Sequence, residues 1–212
     1  MTTPTPGGLR ARKKLATRKH ISDVATRLFA ERGFDAVTVE DIARAADVSK
    51  MTVFNYFTRK EDLVVDREPE LLELVRGAMQ GARPIAGLRA MFVELTLAGH
   101  PLMGAVEGAP AFWALVSSSA VLLARAWSLV DALEEAIARG LADRRFDRVD
   151  AAVAAGMNAA IWRGTWRDGI RRVQAGEPVR TVRRAQNQRL ERGFDAVASV
   201  FERDGEPRRK PG

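Results

Sequence analysis

Within the six positions from Lys50 to Asn55, the residues Met51, Phe54 and Asn55 carry the chemistry that suits a major groove. Asparagine can pair with a base edge, and phenylalanine offers apolar contact to a thymine methyl. At helical spacing Met51, Phe54 and Asn55 share one face, while Val53 and Phe57 share the opposite one. Exposed Met and Phe on so short a helix suit a face that enters a major groove. Ser49, Thr52 and Tyr56 flank that face, and Thr38 and Lys60 lie just outside the segment. Ser49, Thr52 and Tyr56, with Lys50, are expected to bind phosphates, which position a protein without reading sequence, and Lys60 is well placed for a neighbouring one. The competing reading is a small helical core with no ligand.

The elements that would hold this face have clear local signals. A first helix is expected over about 15–32, with Ile21, Val24, Ala25, Leu28 and Phe29 as its apolar stripe and Gly33 as its stop. Thr38 with Asp41 resembles a capping box at the start of a second helix. Its buried side is Val39, Ile42, Ala43 and Ala46. After a turn at Ala46-Asp47-Val48, Ser49 caps a third helix. A fourth is expected from Thr58, with Glu61 completing a second capping box and Pro69 kinking or splitting it.

The stretch from Arg18 through Leu63 closely resembles the DNA-binding domain of TetR-family regulators. The resemblance rests on Ile21, Ala25, Leu28-Phe29, Gly33-Phe34, Thr38-Val39, Ile42-Ala43, Ala46, Val48-Ser49, Thr52-Val53, Tyr56-Phe57, Lys60 and Leu63, spaced without a gap. It implies a homodimer with two heads on double-stranded DNA at a palindromic operator. It also implies a C-terminal effector domain and repression relieved by a small molecule. Residues matching the family's phosphate contacts are Thr38, Ser49, Thr52, Tyr56 and Lys60. Those matching its groove contacts are Lys50, Met51, Phe54 and Asn55. Two positions depart from the family: glycine is common where Met51 stands, and tyrosine where Phe54 stands.

The whole chain of 212 residues reads as all-α, about nine helices with no strands. The expected organisation is a disordered basic arm over 1–14, a three-helix helix-turn-helix domain over 15–62, a larger helical effector and dimerisation bundle over 63–205, and a disordered basic tail over 206–212. Breaks are expected near residues 33, 46, 57, 81–84, 99–101, 108–110, 144–147 and 176–178. Glu31–Val37 recurs as Glu191–Val197; without a sustained period this is chance, the first copy ending a helix and the second lying inside one.

In the larger body, Phe92, Met103, Trp113, Trp127, Met157, Trp162 and Trp166 are candidate lining for a pocket holding a small, largely apolar ligand. Ordinary helical core is the alternative for each. Ala155, Ala159, Leu190, Phe194, Val197 and Phe201 are candidates for a four-helix dimer interface. Other classes are disfavoured. There is no cysteine and only two histidines, His20 and His100, so thiolate chemistry is excluded and no metal site or cofactor is expected. No phosphate-binding glycine loop or nucleophile–base pair is present, so enzymatic function is not expected. No apolar run reaches the ~20 residues of a membrane span, and a cytoplasmic protein is expected. The formal charge of +7 favours a polyanionic partner. A ligand-independent architectural DNA-binding protein is the second reading, helped by the basic runs at 10–14 and 208–210.

Overall fold

The computed structural model describes residues 6–144 and 146–202, and among these every regular element is helical. They are α1 (Pro6–Arg32), α2 (Val39–Ala45), α3 (Lys50–Tyr56), α4 (Glu68–Ala78), α5 (Pro84–Ala98), α6 (Ala109–Ser117), α7 (Ala120–Ala142), α8 (Arg148–Gln174) and α9 (Val179–Phe201). Short 3₁₀ turns form at Glu61–Leu63 and Pro101–Met103. The chain divides into two compact units. One holds the residues up to Asp66 together with Ala114–Arg125; the other holds Arg67–Trp113 and everything from Ala126 on.

The nine described helices match the expected count, though two boundaries inside it moved in opposite directions. Between the breaks expected at 99–101 and 108–110 only a 3₁₀ turn forms, because Gly104 adopts φ 76° and ends it. No break is expected between 108–110 and 144–147, yet two helices lie there. Ser118 Oγ donates back to Leu115 O (2.7 Å) and Ser119 O accepts from Leu123 N–H, so the serines terminate α6 and start α7.

The fourth helix does not begin at Thr58. Leu63, Val64 and Val65 are all buried, a run that one face of a helix cannot supply, and only the 3₁₀ turn at Glu61–Leu63 forms before α4. Pro69 lies in the first turn of α4, where a missing N–H costs nothing. At the N-terminus, residues 6–14 of the expected arm belong to α1. From Leu9 to Ala16 only helix-forming residue types occur, and Pro6 stands at the first position. Residues 1–5 and the expected tail at 206–212 lie outside the described residues.

In the second unit α9 packs along both α8 and α5. Phe92 and Phe194 stack at 5.4 Å, and Trp162 lies 6.1 Å from Phe92. Glu202, buried just past α9, accepts from the Ile85 N–H (2.7 Å) and the Ala86 N–H (3.3 Å), capping the first turn of α5.

This arrangement corrects the expected dimer surface. Ala155, Ala159, Leu190, Phe194 and Val197 are all at or below 1% exposure, and Phe201 is half-buried. The apolar stripes of α8 and α9 are spent against each other and α5, within one chain. What α8 leaves outside is Val149, Val153 and Met157, spaced four apart, and α9 adds Val200.

Candidate nucleic-acid interface

The first unit builds its exposed face from two short capped helices. Thr38 Oγ1 accepts from the Asp41 N–H (3.1 Å), and the Asp41 carboxylate accepts from the Thr38 N–H (3.0 Å), completing the capping box. The Thr38 hydroxyl bond holds the Asp41 carboxyl below its ordinary value, with the Thr38 backbone N–H adding to it. Ser49 Oγ accepts from the Thr52 N–H (3.0 Å) and pairs with the Thr52 hydroxyl (2.8 Å). Between them Asp47 turns the chain at φ 53°, a left-handed position that aspartate tolerates better than most residues. A His20 ring nitrogen donates to Ala46 O (3.2 Å) and pins that turn to α1.

These caps fix which way α3 faces. Val53 and Phe57 are buried at 1% and 2% exposure. Met51 and Phe54 are 68% and 44% exposed, and Asn55 is exposed beside them. Lys50 projects over the Phe54 ring, its ammonium 5.9 Å from the centroid. Thr38 and Ser49 are exposed, and Thr52 and Tyr56 half-buried, around this patch. The four expected base-reading residues are therefore together on one surface, with four of the expected phosphate donors around it.

Lys60 sits differently from its expected place in a helical first turn. Its ammonium donates to Phe34 O (2.5 Å) and lies 4.3 Å from the Phe34 ring centroid. Burial lowers its pKa, against the charges of Asp35 and Glu61. It braces the loop after α1, with two of its three N–H donors left for another acceptor.

Two residues that sequence reasoning did not single out organise this unit. Arg18 donates to Asp66 (3.2 Å) and to Tyr56 O, and lies 4.3 Å over the Phe57 ring. Glu40 accepts from the Lys50 ammonium across α2 and α3. A basic residue one turn before Ile21 and an acid opening α2 were the only signals, and both read equally well as solvated surface.

The model of bacterial regulatory proteins of the tetR family matches residues 21–66. The transcriptional regulator TcmR of Streptomyces glaucescens is 30% identical over 152 residues, covering 68% of this chain and 66% of that protein. The chain belongs to the TetR family. A solved TetR-family regulator from Streptomyces coelicolor is 25% identical, with a TM-score of 0.51, covering 92% of this chain and 99% of that one. The structure of SmeT with triclosan shares the fold at 18% identity and a TM-score of 0.59, covering 93% of this chain and 98% of that one. The chain spans 66% of TcmR, and 22–25% of the length of other curated regulators that it matches.

Trp166 is the hub of an aromatic cluster, 4.9 Å from Trp113, 5.3 Å from Trp127 and 5.5 Å from Trp162. Of the seven expected pocket residues, Phe92, Met103, Trp113, Trp162 and Trp166 are buried and Trp127 is half-buried. Met157 is not among them: it is 38% exposed on the outer stripe of α8. The cluster holds unpartnered polar atoms. Neither Trp162 Nε1 nor Trp166 Nε1 has a hydrogen-bond partner among the described residues, nor has Gln186 Oε1. Gln186 Nε2 donates to Met103 O (3.0 Å) and Thr165 O (3.1 Å). The Trp166 indole N–H edge borders Gly104, next to the Met103 carbonyl that Gln186 Nε2 bonds. An open cleft of about 710 Å³ lies elsewhere, between Val106–Ala111 and the α8–α9 turn, and none of the seven residues lines it. His100 hydrogen-bonds Glu70 (3.2 Å). No cluster of three metal-ligating side chains occurs among the described residues.

Proposed function

We propose that the chain is a cytoplasmic, homodimeric, sequence-specific DNA-binding transcriptional repressor, released from a palindromic operator by a small, largely apolar ligand. The observation that carries this is the exposed face of α3. Met51, Phe54 and Asn55 stand in solvent at one end of a tightly capped head, where an isolated domain gains nothing from them. Lys50, Met51, Phe54 and Asn55 contact bases. Thr38, Ser49, Thr52, Tyr56 and Lys60 hold phosphates, Lys60 through the N–H donors that Phe34 O leaves free.

Two copies are needed to match two half-sites about one helical turn, ~34 Å, or a multiple apart. The outer stripe of Val149, Val153, Met157 and Val200 is the apolar surface that α8 and α9 offer a second copy. Ligand reading rests on the aromatic cluster, where two indole N–H groups and one amide oxygen are buried without partners. Each such group costs about 1–3 kcal/mol unless something satisfies it. Ligand bound there would favour a head separation that no longer fits the operator.

Footprinting with the purified protein on a random-sequence fragment is the test. A protected palindrome, lost in F54A and N55A with folding intact, supports the reading. Unchanged protection in both variants removes α3 as the reading face. The second reading, a ligand-independent architectural protein, draws on the run Arg10–Lys14 carried in α1. It gives protection without sequence preference and a steep salt dependence.

A further inference from the structure

Glu40 is an acid on the surface that carries Phe54 and Asn55. It stands in the first turn of α2, and its carboxylate accepts from the Lys50 ammonium. Both side chains remain about half exposed, at 52% and 51%. Asp41 next to it is turned away, committed to Thr38 and 3.5 Å from Arg44. So Glu40 and Lys50 form an exposed donor–acceptor pair at the edge of the reading face.

Stability does not account for this pair, since exposed ion pairs contribute between nothing and about 1 kcal/mol. Nor does nonspecific affinity, because a carboxylate near phosphates repels them and cancels the counterion release its lysine would give. Its chemistry fits a base pair. The major-groove edge of G·C presents the guanine N7 and O6 acceptors beside the cytosine N4–H₂ donor. An ammonium beside a carboxylate is the complement of that edge. An A·T pair puts the O4 acceptor and the methyl of thymine where cytosine has its donor, and a carboxylate there meets no hydrogen.

We propose that Glu40 and Lys50 read one G·C pair in each half-site as a unit, Lys50 donating to guanine O6 or N7 and Glu40 accepting from cytosine N4. This rests on the assignment of α3 as the reading face. Phe54, whose ring lies under the Lys50 ammonium, is then left to make apolar contact with a neighbouring base.

The test is selection of binding sites from a random duplex library by the full chain and by E40Q, at about 0.15 M salt. The unsubstituted chain is expected to prefer G·C over A·T at one position per half-site by at least about tenfold, the order of one good base contact. In E40Q that preference falls below about threefold and A·T is admitted, because a glutamine amide can donate to thymine O4 as well as accept from cytosine N4. Preferences elsewhere in the site persist, and the melting temperature is unchanged. If E40Q selects the same pair with the same strength, or gains affinity for every sequence alike, the proposal is overturned. A parent chain that selects no sequence at all overturns the reading-face assignment itself, which separates the two failures.

Discussion

The Asp62 carboxylate accepts from Arg125 Nε at 2.8 Å, joining the turn that follows the reading head to the beginning of α7 across 63 residues of chain. Both side chains are mostly buried, at 16% and 15% exposure, and Asp62 also accepts from the Arg59 N–H (3.1 Å). Removing Asp62 takes from this enclosed site a counter-charge that Arg125 holds at hydrogen-bond distance. D62A is therefore expected to destabilise the chain by about 3 kcal/mol, measured by chemical denaturation. A loss under about 1 kcal/mol would make the contact incidental.

The capping box at the start of α2 gives a cap loss and an acid response. T38A removes the side-chain acceptor of that box and is expected to cost about 1 kcal/mol of stability. Asp41, whose folded pKa is lowered by the Thr38 hydroxyl, contributes stability that is full above its ordinary value of 3.8 and fades as pH falls through the lower folded value. The parent chain thus loses this contribution below that value, and T38A, which keeps only the backbone N–H part of it, shows a shallower acid slope. Parallel slopes in acid titrations of both chains, followed by circular dichroism, would count against the box.

A charge placed in the outer stripe of α8 tests which face a second copy uses. V153R is expected to sediment as a folded monomer, while parent chain sediments as a dimer. The buried residues of the α8–α9 contact behave otherwise. L190A opens a cavity in the monomer core and is expected to cost about 2–5 kcal/mol of stability. Velocity sedimentation together with thermal melting separates the two effects. A V153R chain that remains dimeric moves the interface elsewhere.

Glu202 is where the end of α9 serves the start of α5. E202A leaves the Ile85 and Ala86 N–H groups of a buried helix start without an acceptor, and is expected to cost about 1–2 kcal/mol. E202Q, which keeps one carbonyl acceptor, is expected to recover part of that loss in thermal melting. Equal loss in both variants would point to packing instead of capping.

Much of the reading head was legible in the sequence because its decisive interactions are local. Thr38 meets Asp41 three residues away, Ser49 meets Thr52 at the same spacing, and the alternation of Val53 and Phe57 with Phe54 and Asn55 follows from 3.6 residues per turn. The TetR-family frame over residues 21–66 is local in the same sense. Apolar periodicity also marked most helices of the second unit, since Gly99, Pro110 and Pro178 lie at their ends wherever they are packed.

Periodicity says that a face is buried and leaves open what buries it. Leu190, Phe194 and Val197 read equally well as a dimer seam or as core, and only the packing of α9 on α8 and α5 made them core and pushed the outer stripe to Val149, Val153 and Met157. The same holds for Lys60, whose ammonium was drawn to a carbonyl 26 residues away, and for Lys50, which meets Glu40 across the turn. Residue types and short spacings determined the helices, the caps and the exposed face of α3. Partners far apart along the chain were chosen by tertiary structure alone, because burial energy depends on area removed from water and carries no record of which surface removes it.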